Sequence, residues 1–310
     1  MKIFLDNVAN NNTGPNTFAR RLAHQFVCMG HTLADHDDYD VQLAFIEARC
    51  EPLPGKPLVQ RLDGIWFKPQ EFEAKNTWIR MTWQVASAVV WQSDFDRKMT
   101  THHWGQKNGV VINNGIDLSH KITQHNIPEI KTLRDKYDHF FVCSSNWHPQ
   151  KRLTQNVELF KHVRKNLPGR SCLVVMGQGV QHKIADHDVF YTDTVPEDVY
   201  LEVYSSADWM IHLAWLDHCP NVICECLSQE TPVICSSSGG TKELVQEFGI
   251  ILEENTSYNY ELADYDNPPD IDVTDLDVNL LLRKPLKQHA DVDIHNVAKR
   301  YISLFETLLC

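Results

Sequence analysis

No apolar run in this chain approaches the roughly 20 residues that cross a bilayer, so no membrane anchor is expected within it. No charged and apolar leader stands before the apolar run that opens at Lys2, so no secretory signal is expected either. The dinucleotide fingerprint G-x-G-x-x-G is missing after that run, which leaves a plain strand–helix turn there. Clustered cations are scarce. The net charge is −12, and neither half shows the basic stripe that nucleic acid or an anionic membrane favours, so nucleic acid is a disfavoured partner. Zinc spacing is absent as well. Nine cysteines, an odd number, are scattered along the chain; Cys224 and Cys226 flank Glu225, and no second close pair or His partner completes a metal set. Several cysteines fall in apolar patterns, where free Cys behaves as a small buried hydrophobe. Reduced thiols, a cytoplasmic location and no metal are the expectation.

What is present suits a globular enzyme. The 310 residues are 43% hydrophobic and 23% charged, enough to bury a core in each of two domains. Residues 1–120 carry 12 basic and 13 acidic side chains, whereas the remainder carries 17 and 28. Nine acids and no Lys or Arg fall in Glu253–Asp277, which reads as a solvated loop.

The richest stretch is Trp215–Val245, WLDHCPNVICECLSQETPVICSSSGGTKELV. Pro220 suits the first turn of a helix, where its fixed φ is helical and its missing N–H costs nothing. A helix is expected from about Cys219 or Pro220 to Gln229. It places Asp217 in the entering loop and Glu225 about a turn and a half inside. Carboxylates accept from hydroxyls and helix-end amides donate to phosphate, so this layout suits a ligand carrying both. Gly239 and Gly240 before Thr241 form a second turn through which backbone can approach a ligand.

The order acidic residue, seven residues, Glu, then PVI, then GG-T-K-E-L-V resembles the signature of the retaining glycosyltransferases with the GT-B fold, the family of sucrose synthase, glycogen synthase and the phosphatidylinositol mannosyltransferases. The family's first acid is usually Glu; Asp217 is one methylene shorter. The resemblance runs from residue 2 to about 252, specific in the second half and weak in the first. It implies an α/β protein of two Rossmann-like domains with mostly parallel sheets facing across a cleft. The first is expected at 1–120, completed by a C-terminal helix at 294–310, and the second, which binds the nucleotide sugar, at 121–293.

In chain order, KIFLDNV reads as a buried strand, and a helix should follow from Thr13–Asn16 with Phe18, Leu22, Phe26 and Met29 on its apolar face. Gly14 matches one glycine of the family's diphosphate-facing loop. PLVQRLDG at 57–64 reads as a strand ending in Arg61 and Asp63, which are candidates for the acceptor side because open α/β sheets bind ligands beyond their strand ends. A salt bridge fixing the loop is an equal reading of that pair. Asn114, Gly115 and Asp117 make the turn leaving the first sheet. A polar linker is expected at about Leu118–Asp138, and HFFVCSS then restarts the second half.

By resemblance, Lys151 aligns with the family's diphosphate-binding lysine. Arg152 stands where Gly is common, and Asn146 replaces the family's second cation, so Arg152 is the candidate to supply the missing charge. Gly177 belongs to the glycine turn after SCLVVM, and Val195 lies in the turn that borders the base. Asp217 is implied to hold sugar hydroxyls and Glu225 the ribose hydroxyls. The helix end at Cys219, Pro220 and Asn221 is implied to face phosphate, and Gly239, Gly240 and Thr241 to border the sugar. His212, inside an apolar strand, reads as a hydrogen-bonded core residue.

The implied activity is metal-independent transfer of a sugar, with retention, from a nucleotide diphosphate sugar to a glycan, lipid-linked or other hydroxyl acceptor. No separate cofactor is implied. The alternative is a nucleotide-sugar-binding module that has lost turnover. A third reading, an epimerase or phosphorylase on the same fold, ranks lower; the phosphorylase requires a pyridoxal phosphate lysine that no motif here identifies.

Overall fold

A computed structural model describes the whole chain except residues 12, 120, 125, 181 and 283–289. Short β-branched runs alternate with amphipathic helices, and this order yields two six-stranded parallel sheets. The first contains β1 (Lys2–Asp6), β2 (Thr32–Leu33), β3 (Val41–Phe45), β4 (Leu58–Leu62), β5 (Ala88–Trp91) and β6 (Gly109–Val111), in the order β2-β1-β3-β4-β5-β6. Its helices are α1 (Gly14–Cys28), α2 (Phe72–Val85) and α3 (Asp94–Trp104).

The second half opens with α4 (Pro128–Lys136) and β7 (His139–Ser144), followed by α5 (Leu153–Asn166), β8 (Ser171–Met176) and β9 (Val189–Thr192). Next come α6 (Glu197–Ser206), β10 (Trp209–His212), α7 (Asn221–Ser228), β11 (Val233–Ser236), α8 (Thr241–Val245) and β12 (Gly249–Leu252). The sheet order β12-β11-β10-β7-β8-β9 reverses between β7 and β10. Ser144 and His212 end those two strands, so the crevice beside them is where an open parallel sheet receives a ligand.

Every residue of β3, β4 and β8 is buried, because strands covered by helices on both faces have no solvent side. The stripe Phe18, Leu22 and Phe26 of α1 meets Val297, Tyr301 and Phe305 of α9 (Ile294–Leu309) in one core. Each such side chain contributes about 1.5–3 kcal/mol on burial. The last helix therefore belongs to the first sheet, and Gly115 lets the chain pass it: a Cβ there would lie 2.9 Å from Val297.

Two expectations are corrected. The segment 118–138 is not simply a polar linker, because its described part includes α4, with Pro128 at the start and Ile130 buried against the second core. Residues 120 and 125 of that linker lie outside the described residues. Glu253–Asp277 is not a solvated loop. Tyr258, Tyr260 and Tyr265 pack on the first domain beside Phe67 and Phe95, while Ile271 and Leu276 enter the second core. The apolar residues among the acids bury themselves, and Asp264 and Asp266 pair with Lys68 of the first domain.

Candidate active site

The strand ends of the two sheets enclose a cleft of about 540 Å³, within the usual range for a small-molecule site. From the second domain, α7 points its N-terminus into it, with Cys219, Pro220 and Asn221 on the wall. From the first domain, α1 does the same at Gly14 and Pro15. The two helix ends are tied together: Asn221 Nδ2 donates to Gly14 O at 2.9 Å, and Asn114 Nδ2 donates to Asn221 Oδ1 and Cys219 O, each at 2.9 Å. Asn114 thus joins the domains as well as turning the chain.

Asp217, Lys151 and His212 form one cluster on the cleft wall. Lys151 Nζ contacts Asp217 Oδ2, His212 Nε2 lies 3.2 Å from the same oxygen, and Oδ1 accepts from the His218 amide at 3.0 Å. Burial favours the protonated acid, but Lys151 and His212 outweigh it and hold the Asp217 carboxyl far below the usual carboxylate range. Burial pushes the His212 imidazole down. The Lys151 and Asp217 side chains keep 18% and 14% exposure, so the ion pair faces the cleft rather than the core.

Glu225 lies one and a half turns into α7 and is buried, with Arg21 Nη2 of α1 2.8 Å from its Oε1. Burial pushes its carboxyl above the usual range, and Arg21 opposes that shift without cancelling it. Val195, Pro196 and Tyr200 stand beside it on the same wall, with Asn146 and Gly177 nearby at the ends of β7 and β8. Gly177 is obligatory: its φ is +110°, and a Cβ would fall 2.0 Å from Ser145 O.

Two expectations fail on geometry, and for Arg61 and Asp63 the equal reading, a salt bridge, is the one observed. Arg152 does not face phosphate. It sits at φ +53°, its side chain is 0% exposed, and Glu254 Oε1 and Oε2 accept from it at 2.7 and 3.0 Å. The acidic segment therefore takes up this cation. Arg61 is buried too, with its guanidinium 4.5 Å from the Phe18 ring and donating to Asn114 Oδ1 at 2.6 Å. It pairs with Asp63, and only Asp63 reaches the cleft. Gly239, Gly240 and Thr241 lie behind the cleft wall. A Cβ on Gly239 would fall 2.4 Å from Asp217 O, one on Gly240 would fall 2.0 Å from His218 O, and Thr241 is buried. Their turn supports the Asp217–His218 loop, with the Gly240 amide donating to Asp217 O at 2.7 Å.

Arg21, His212 and His218 were not legible as site residues. A signal for Arg21 existed: it is a cation at the edge of α1's buried stripe, three residues after Phe18 and seven beyond Gly14. Among the described residues, one grouping has metal-ligand spacing, Asp186, His187 and Asp188. Arg164 already occupies it, at 2.5 Å from Asp186 Oδ1 and 3.0 Å from Asp188 Oδ2. No described helix is long and apolar enough to cross a membrane.

Residues 138–264 match the family model described as glycosyl transferases group 1. No curated protein sequence matches the chain. Among solved structures, HepE of Anabaena in complex with UDP-glucose is 14% identical with a TM-score of 0.64, covering 99% of this chain and 98% of that one. AviGT4, a glycosyltransferase involved in avilamycin A biosynthesis, is 14% identical with a TM-score of 0.62, covering 100% and 98%. The sucrose-phosphate synthase of Thermosynechococcus elongatus is 13% identical with a TM-score of 0.62, covering 100% and 96%. The two facing parallel domains are thus the GT-B fold. The family match falls within the second domain.

Proposed function

We propose that this chain transfers a sugar from a nucleotide diphosphate sugar to an acceptor hydroxyl with retention at the anomeric carbon. The observation that carries the reading is the single cleft in which the Lys151–Asp217–His212 cluster, Glu225 and the N-termini of α1 and α7 face one another. The base lies against Val195 and Pro196. The ribose hydroxyls donate to Glu225, whose Oε1 is engaged by Arg21 while the carboxylate retains acceptor capacity. The diphosphate lies against the two joined helix ends, where the helix dipoles favour an anion. Asp217 accepts from the sugar hydroxyls.

Departure of the nucleotide diphosphate concentrates negative charge on its bridging oxygen. Lys151, shared with Asp217 on the cleft wall, and the helix ends stabilise that charge. Because these groups neutralise the diphosphate, we infer that turnover needs no metal and no separate cofactor. The relative HepE was crystallised with UDP-glucose, which makes UDP-sugars the first donors to try. The test is NMR of the product's anomeric signals in the presence of EDTA. Retained configuration supports the reading; inverted configuration, or activity that requires an added divalent ion, contradicts it.

A further inference from the structure

Opening off the donor cleft is a second cavity of about 320 Å³, sharing Asp63, Lys151, Asp217 and His218 with it. Its outer walls are aromatic. Trp66 and Phe67 come from the stretch after β4, Trp215 from the loop before Asp217, and Tyr265 from the acidic segment. Tyr265 packs edge-on to Phe67 at 5.0 Å and donates to Glu71 Oε2 at 3.0 Å. One face of Trp66 carries the Lys75 ammonium, 3.9 Å from the ring centroid, and Lys75 is itself paired with Glu71 at 2.8 Å. Among the described residues lining the cavity the one cation is Lys151, which Asp217 already holds.

His218 stands at the junction of the two cavities. Its ring lies on Gly64, where a Cβ would fall 2.3 to 2.6 Å from Cε1, Nε2 and Nδ1. Phe95 and Phe67 flank it at 5.4 and 6.2 Å. Its Nδ1 is buried and lies 3.6 Å from Asp96 Oδ1. Asp96 is fully buried and neither carboxyl oxygen has a hydrogen-bond partner, which is costly unless the group serves a neighbour. Asp96 is the carboxyl nearest the inner side of the ring, at a distance longer than a hydrogen bond. With Nδ1 buried, the side chain keeps 19% exposure and lines both cavities.

We propose that this cavity is the acceptor subsite and takes an uncharged saccharide, its C–H face on the Trp66, Trp215 and Tyr265 walls and one hydroxyl held by His218 Nε2. The proposal rests on the transferase reading above. A sugar ring offers an apolar face and a polar edge, matching aromatic walls with Asp63 and His218 at the inner end. A phosphorylated or carboxylated acceptor would find no unpaired cation there to offset its desolvation. A plain hydrocarbon would leave the polar inner end unpartnered. In the transfer the acceptor oxygen bonds to the anomeric carbon, the bond from that carbon to the diphosphate breaks, and the hydroxyl proton leaves with the nucleotide diphosphate. His218 contacts the substrate.

The test supplies the donor that the wild type hydrolyses and offers neutral mono- and oligosaccharides, sugar phosphates, uronic acids and polyprenyl phosphates as acceptors. The expected result is transfer to a neutral saccharide. Trp66→Ala, on an exposed surface, should raise the acceptor KM about tenfold or more with the donor KM unchanged. His218→Gln should lower kcat and raise the acceptor KM. Transfer confined to phosphate- or carboxylate-bearing acceptors, no transfer to any neutral saccharide despite donor hydrolysis, or an acceptor KM unmoved in both Trp66→Ala and His218→Gln overturns the proposal. A wild type that neither binds nor hydrolyses any donor overturns the transferase reading itself, and this proposal with it.

Discussion

Arg21→Ala separates the electrostatics of donor binding from those of folding. Glu225 is buried, with Arg21 2.8 Å away, and burial already raises its proton affinity despite that cation. Removing Arg21 raises it further, so at neutral pH more of the protein carries a protonated Glu225. Ribose hydroxyls bind best to the carboxylate, and re-ionising it then costs the lost charge-assisted bond, about 1.5–3 kcal/mol. That corresponds to roughly 10- to 150-fold weaker donor binding. The variant's donor affinity should recover as pH rises from 6 to 9, because alkali ionises Glu225 without help.

Stability of the ligand-free variant should move the other way. A carboxyl whose folded value lies above its unfolded one contributes stability that is present below the ordinary glutamate range and lost as pH rises through the folded value. Titration calorimetry with the nucleoside diphosphate, paired with denaturant melts over the same pH range, measures both slopes. Donor affinity in Arg21→Ala equal to wild type and flat with pH would refute the argument.

Further outcomes follow from other contacts. Lys151→Ala should weaken the nucleoside diphosphate by about 10- to 150-fold, the same charge-assisted contribution, while the free nucleoside is unaffected; calorimetry with both ligands decides it. Glu254→Ala strands the buried Arg152 and should cost about 3–5 kcal/mol of stability in urea melts, yet leave donor affinity within twofold once folded, since Arg152 does not face the cleft. Gly177→Ala places a Cβ 2.0 Å from Ser145 O at φ +110° and should lose about 2 kcal/mol or more, measured by the same melts. EDTA should leave turnover unchanged, because Lys151 and the helix ends supply the neutralising charge.

The positions readable in the sequence are those whose local pattern carries the chemistry. Pro220 and the apolar run after it announce α7, and with it the separation of Asp217 from Glu225. SCLVVM reads as a strand covered on both faces because no polar residue interrupts it after Ser171. What was not legible depends on contacts between distant segments. Arg152 looks like a cation at a helix start until Glu254, a hundred residues on, reaches it. Arg61 looks like a strand-end cation until Phe18 and Asn114 close around it. Asp96 and His218 meet across the domain boundary, and nothing in either local pattern announces the pair. The tyrosines of the acidic segment were visible, but its charge hid the fact that they bury themselves on the first domain.

The most direct measurement incubates the purified chain with UDP-, GDP-, ADP- and dTDP-sugars, following calorimetric binding and release of free nucleotide together. The account predicts one preferred nucleotide, saturable binding, slow release of nucleoside diphosphate without acceptor, and loss of both in Glu225→Ala. Tight binding with no release, and none after neutral saccharides are added, would make the chain a binder rather than a transferase. No binding to any of the four would contradict the assignment of the cleft.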